Sequence, residues 1–238
     1  MNLRSQQQTG LSLTELLIAM AIGLILMAGI TKVWLGSRQV ERSNAALAAI
    51  QETGRFATAI LERNIRLTGY PLYKQPNGNA VFDANWTKDD GNNDRIAVNY
   101  FASTPCSGEA TTDAGASNKL HAFKVENGEL RCGTEVLATG IDALQIQYGI
   151  DTDGDGIANR YVNATQVKAG VANPGTPDWP QVVSVWLALL VNSERDVLDA
   201  TVAKTWVLLD KTISTDDRKM RRVFTTTIPI RNRMESEL

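Results

Sequence analysis

The sequence predicts an α+β fold: one long amino-terminal helix, then a mostly antiparallel β-sheet head covering the outer half of that helix. Three observations predict it. Residues 16–31 carry no charge, and the apolar run continues past Lys32 to Trp34 and Leu35. No proline interrupts the chain before Pro71. From Leu72 onward, short apolar runs alternate with clusters of turn residues, which is the pattern of strands rather than helices.

Each element follows in order. Residues 1–10 are polar, with Arg4 the only charged side chain, and read as a leader. Residues 11–35 read as a membrane-spanning helix, because about twenty helical residues cross a ~30 Å hydrocarbon core. The apolar run is longer than the h-region of a cleaved secretory signal, and no small-x-small site follows it, so a retained anchor fits. Arg4 lies on one side and Lys32, Arg38 and Arg42 on the other, so the positive-inside rule does not decide orientation. Residues 36–70 continue as an amphipathic helix. Leu47, Ile50, Gly54, Ala57 and Leu61 recur at helical spacing, Phe56, Ile60 and Ile65 widen the stripe, and Gly69 with Pro71 supplies the stop.

Residues 71–238 form the head. Strands are expected at 95–100, 120–125, 129–132, 143–150, 182–191, 206–209 and 223–230, with a hairpin turn at Asn127-Gly128. Val183, Val185, Leu187, Leu189 and Val191 would share the buried face of the central strand, and Pro229 marks an edge. Residues 72–94 and 164–180, rich in Gly, Pro, Asn and Asp, are expected to be loops.

Composition sets bounds on function. The chain has 238 residues, 43% of them hydrophobic, which fits one or two folded domains and excludes wholesale disorder. A net charge of −2 argues against a dedicated nucleic-acid binder. A single His removes most catalytic triads and multi-His metal sites. There is no G-x-S-x-G, no H-E-x-x-H and no phosphate-binding glycine loop, so the reading is association rather than catalysis.

The border of the apolar run holds one acid. Ser12-Leu13-Thr14-Glu15 has the form of a capping box, which places Glu15 in the favourable first helical turn. The alternative is that Glu15 awaits a cation from another subunit. Gly10-Leu11-Ser12-Leu13-Thr14-Glu15 followed by a charge-free stretch resembles the class III signal of type IV pilins and pseudopilins. That resemblance implies that a prepilin peptidase cuts after Gly10 and methylates the new amine of Leu11, which stands where the family usually has Phe. It also implies that Glu15 pairs with the amine of a neighbouring subunit in the filament core. Burying the two charges together costs far less than burying either alone.

Three head segments, LQIQYGIDTDGDG at 144–156, VSVWLALLVNS at 183–193 and RRVFTTTIPIRN at 221–232, resemble the minor pilins of the PilW type. The resemblance implies a pilin-like fold and a subunit of the complex that primes the type IV pilus and sits at its tip. The implied partners are other minor pilins, the major pilin, the prepilin peptidase and the inner-membrane assembly platform. It places the precursor in the bacterial inner membrane with its head in the periplasm, and the assembled subunit at the cell surface, with twitching motility as the phenotype. A minor pseudopilin of type II secretion is the nearest alternative, and a membrane-anchored calcium-dependent adhesin a more distant one.

The head offers two candidate sites. Cys106 and Cys132 are the only thiols, and an exported head permits them to form a disulfide. Asp151, Asp153 and Asp155 alternate in a D-x-D-x-D-G stretch, and the Ile157 carbonyl and Asn159 would continue the register of a calcium loop. Val162 stands where a bidentate Glu belongs, so a plain hairpin turn into residues 160–162 is the competing reading. His121 is expected to be a packed or surface residue. Trp179 in its Pro-flanked loop could contact a partner. Arg218, Lys219, Arg221 and Arg222 read as a solvated hairpin end, with DNA or partner contact as the alternative.

Overall fold

The computed structural model describes residues 12–70, 81–106, 117–171 and 178–232. Helix α1 spans Leu13–Leu67. The chain divides at Ala45 into two units, and each is taken by itself.

In the first unit, the apolar side chains of α1 lie exposed all round, including Leu24, Ile25 and Val33. In the second unit, α1 buries one stripe comprising Ile50, Gly54, Ala57, Leu61, Asn64 and Ile65. This matches the expected helical spacing, with two differences. Phe56 is 48% exposed, because it lies off the centre of the stripe. Asn64, a polar residue, occupies a buried position. It is satisfied there, accepting from the Tyr100 hydroxyl at 2.6 Å and donating to the Ile60 carbonyl at 2.8 Å. The helix stops as the sequence predicts. Gly69 takes φ +78°, and its N–H donates to the Asn99 carbonyl at 2.8 Å.

The head contains two four-stranded sheets and a separate hairpin, rather than the single sheet expected. The first sheet is β1 (Ile96–Ala102), β2 (Ser117–Glu126), β3 (Glu129–Cys132) and β4 (Glu135–Thr139), in that order. Its β2–β3 turn is Asn127-Gly128, with φ +53° and +78°, the left-handed pair that a tight two-residue hairpin requires. The second sheet has β5 (Ile141–Ile150), β6 (Arg160–Val162), β7 (Val182–Asn192) and β10 (Arg221–Pro229) in the order β10-β7-β5-β6. Between β7 and β10 the chain forms the hairpin β8 (Val202–Leu208) and β9 (Lys211–Asp217). All these pairings are antiparallel. Pro229 ends β10 at a sheet edge, where its missing N–H costs no ladder bond.

β7 is buried on both faces, not one. Val185, Leu187, Leu189 and Val191 join the main core with Ile50, Ala57, Leu61 and Ile65 of α1. On the other face Ala188 and Leu190 pack with Ala143, Leu208 and Ile213, so the hairpin β8–β9 covers the side expected to be open.

The segment 164–180 is not all loop. Ala164–Val171 is a helix, α2, started by Asn163 and Gln166, each accepting the other's backbone N–H at 3.0 Å. The next described residues carry a short 3-10 turn, Trp179–Gln181, capped by Asp178. Trp179 is buried against Phe82 and Tyr148, which removes it as an exposed partner contact. The loop expected over residues 72–94 falls partly outside the described residues. Its described part is irregular but bridged to the first sheet, through Phe82 opposite Val98.

Candidate functional site

Three groups of residues carry the candidate chemistry. At the start of α1, the Ser12 N–H donates to a Glu15 carboxylate oxygen at 3.2 Å, and the Thr14 N–H donates to the Ser12 hydroxyl at 3.3 Å. Glu15 therefore caps its own helix in this chain and holds its charge where the free N–H groups and the helix dipole favour it. Gly10 and Leu11, the expected processing pair, lie outside the described residues. The helix that follows is long and apolar enough to cross a membrane. Its most apolar window has a mean hydropathy of 2.3 and none of that window is buried. Thr31, the hydroxyl within this stretch, is satisfied by donating to the Met27 carbonyl at 2.8 Å.

The second group lies in the first sheet. Cys106 and Cys132 are joined by a disulfide, with Cα atoms 5.9 Å apart. His121 on β2 sits beside it, fully buried. Its Nδ1 accepts the Cys106 N–H at 2.6 Å, and its ring stacks on Tyr100 with centroids 3.7 Å apart. Its Nε2 is buried without a hydrogen-bond partner. Burial pulls the imidazole pKa down to about 4, so it is neutral at ordinary pH. The sequence marks His121 as a packed or surface residue, and the structure makes it packed. Its place beside the disulfide was not legible, because the pairing of β2 with β3 brings the two together.

The third group is the Asp loop between β5 and β6. The Asp151 carboxylate accepts the Gly154 N–H at 2.7 Å and the Gly156 N–H at 2.8 Å. Asn159 accepts the Thr152 N–H at 2.7 Å and donates to Asp153 at 3.3 Å. Asp155 accepts the Ile157 N–H at 2.7 Å, and the Ile157 side chain is exposed. One carboxylate oxygen from each of Asp151, Asp153 and Asp155 lies within 4.8 Å of the others. Gly154 and Gly156 both take φ +82°, which the tight bend requires. Val162, the position of the missing bidentate Glu, is buried in β6 and packs in the main core.

One charged site escaped the sequence. Asp94 is 3% exposed, and its carboxylate accepts the Ile146 N–H at 2.7 Å and the Asp90 N–H at 3.1 Å. The basic cluster is solvated at Arg218 and Arg222, which are exposed, but not at Arg221. The side chain of Arg221 is only 6% exposed and is held by Asp142 at 2.6 Å and by a bidentate pair with Asp217. Arg218 pairs with Asp196 at 3.1 Å.

A family model described as type IV pilus-assembly protein W matches residues 110–232, just over half of the chain. This chain belongs to the PilW family. The matched PilW region runs from β2 through β10 and includes His121, Cys132 and the Asp loop. A second match, the prokaryotic N-terminal methylation motif, covers residues 5–31, so Gly10, Leu11 and Glu15 all fall within it. A search of curated proteins and of solved structures found no match. Membership in PilW makes the chain a type IV pilus-assembly protein with a structural rather than a known enzymatic relationship.

Proposed function

We propose that this PilW-family chain is a minor pilin that primes assembly of a type IV pilus and remains at the filament tip. One observation carries the reading. The methylation motif leads into a helix whose first twenty or so residues keep their apolar side chains uncovered, while from Ile50 onward α1 buries one stripe in the head. A bilayer covers such a surface before assembly, and neighbouring helices cover it afterwards.

In this reading, cleavage after Gly10 removes the polar leader and creates the Leu11 amine. Glu15 then exchanges its bond to the Ser12 N–H for the methylated amine of a neighbouring subunit. The carboxylate would otherwise enter an apolar bundle unpaired, so this exchange sets the axial register. Other minor pilins, the major pilin, the prepilin peptidase and the assembly platform are the corresponding partners. Mass spectrometry of the protein recovered from cells should find a chain beginning at N-methyl-Leu11. A functional filament containing the chain with residues 1–10 still attached would overturn the reading. Deleting the chain should abolish twitching and leave secretion intact, whereas the reverse phenotype would favour a secretion pseudopilin.

We read the Asp loop as a turn held by its own side chains, not as a calcium site. Two features support this: both Asp151 oxygens are engaged by backbone N–H groups, and Val162 offers no carboxylate. Calcium calorimetry on the full chain in detergent should show no heat that Asp153→Ala removes. A saturable calcium signal lost in that variant would restore the metal reading.

A further inference from the structure

We infer that the dithiol form of the head is a binding site for one borderline-soft cation of the zinc class, held by Cys106, Cys132 and His121, and that closing the disulfide abolishes the site. Both sulfurs of the disulfide and a ring nitrogen of His121 lie within 4.8 Å of one another, so reduction would leave two thiols beside an imidazole. That donor set and number suit zinc, with a fourth position left to water.

The fold, rather than the disulfide alone, brings the donors together. β2 pairs with β3 so that Phe123 faces Cys132, which leaves His121 two residues along the same face of β2. The Gly133 N–H donates to the Ala122 carbonyl at 2.9 Å and fixes the end of β3 beside His121. Tyr100 clamps the imidazole plane from β1, and its own hydroxyl is engaged with Asn64. The His side is therefore organised by strand pairing and stacking that do not need the S–S bond.

The chemistry of His121 points the same way. A fully buried imidazole with one nitrogen unpartnered is an unfavourable way to fill a core, because a buried polar atom without a hydrogen bond forfeits its solvation. A phenylalanine would stack on Tyr100 equally well. What an imidazole adds is the Nδ1 lone pair, which now accepts the Cys106 N–H at 2.6 Å and which a cation would take in place of that hydrogen bond.

The balance is simple. A phosphine reductant adds two electrons to the Sγ–Sγ bond and takes an oxygen from water, becoming the phosphine oxide while two thiols form. The cation then displaces one proton from each thiol to solvent and binds both thiolates and the neutral imidazole. In the cell the newly exported chain already carries the dithiol, before any disulfide-forming oxidant acts on it.

The test uses the full chain in detergent, reduced with a phosphine, with Co2+ as the spectroscopic stand-in for Zn2+. Reduced protein should show thiolate-to-cobalt charge-transfer absorption saturating at one equivalent and displaced by zinc. Oxidised protein should show none, which also excludes the Asp loop as the source. His121→Phe, which keeps the stack on Tyr100, should weaken binding more than about 10-fold, since losing even a ligand's supporting hydrogen bond costs ~10–100-fold. If the reduced head melts without metal, zinc should restore its near-ultraviolet circular dichroism. Absence of cobalt absorption in folded reduced protein, equal affinity in His121→Phe, or failure of zinc to restore a melted head would each overturn the site.

Discussion

Asp94 is an acid held inside the head by two backbone N–H groups, and its titration sets a pH dependence for the whole unit. Burial raises its pKa to about 7, with Asp89 and Asp210 adding to the rise and the two N–H bonds opposing it. The unfolded chain releases this proton near the ordinary value of 3.8. Between those pH values the folded state holds a proton that the unfolded state does not, so stability is fully present below about 4 and falls as pH rises through 7. The loss is on the order of 4 kcal/mol at ~1.4 kcal/mol per tenfold change in proton affinity. Thermal melts from pH 4 to 8 should show a falling Tm, and Asp94→Asn should flatten that fall. Asp217 acts with the opposite sign and in a different window. Its bond to Arg221 lowers its pKa to about 2, so its contribution is present above about 4 and disappears as pH drops toward 2. At the same scale, replacing both Cys106 and Cys132 with Ser should cost about 3.5 kcal/mol in the chain-entropy picture, measurable by urea unfolding. The cysteines were legible because the chain has only two of them. Asp94 was not, because its burial depends on β5, some fifty residues away.

Helix α1 and strand β10 meet at close quarters. Gly54 of α1 lies directly under the Phe224 ring of β10, and a Cβ there would overlap the ring. Gly54→Ala gains roughly 1 kcal/mol of helix propensity but forces Phe224 aside, at about 1–3 kcal/mol. The single variant should therefore lower stability slightly, and the double variant Gly54→Ala with Phe224→Ala should show the alanine as favourable in a double-mutant cycle. If Gly54→Ala alone stabilises, the helix and strand do not approach this closely. Most elements were legible from periodicity. β3 falls where the sequence places it, and β1, β2, β5, β7 and β10 are displaced by at most a few residues. The misses have physical reasons. α2 was hidden because Gly170 and the Asn173-Pro174-Gly175 run make 164–180 read as one loop, although Asn163-x-x-Gln166 is itself a capping signal. β9 carries one core side chain, Ile213, among polar ones, so its alternation is faint. The Asp loop was legible as a turn and ambiguous as a metal site, because Asp and Gly serve both.

Across the whole molecule, one helix meets two solvents. Its apolar first part is uncovered by any described residue, and its later part is core to the head. Glu15 sits at the start of the uncovered part, so Glu15→Ala should leave the fold and melting of the head unchanged while reducing incorporation into filaments. Equal incorporation, measured by recovery in sheared filaments, would remove the register role. Glu15→Asp, which keeps the charge on a shorter arm, should retain part of that incorporation. The Cys106–Cys132 bridge has a consequence for delivery. It ties the segment just after β1 to the end of β3, whereas β7, a strand of the second sheet, begins only at Val182. In the export that the proposed function requires, a polypeptide threaded outward from its amino end presents both sulfurs about fifty residues before that strand emerges. The bond can therefore be sealed on a half-delivered chain, and stalled translocation intermediates should already resist thiol alkylation.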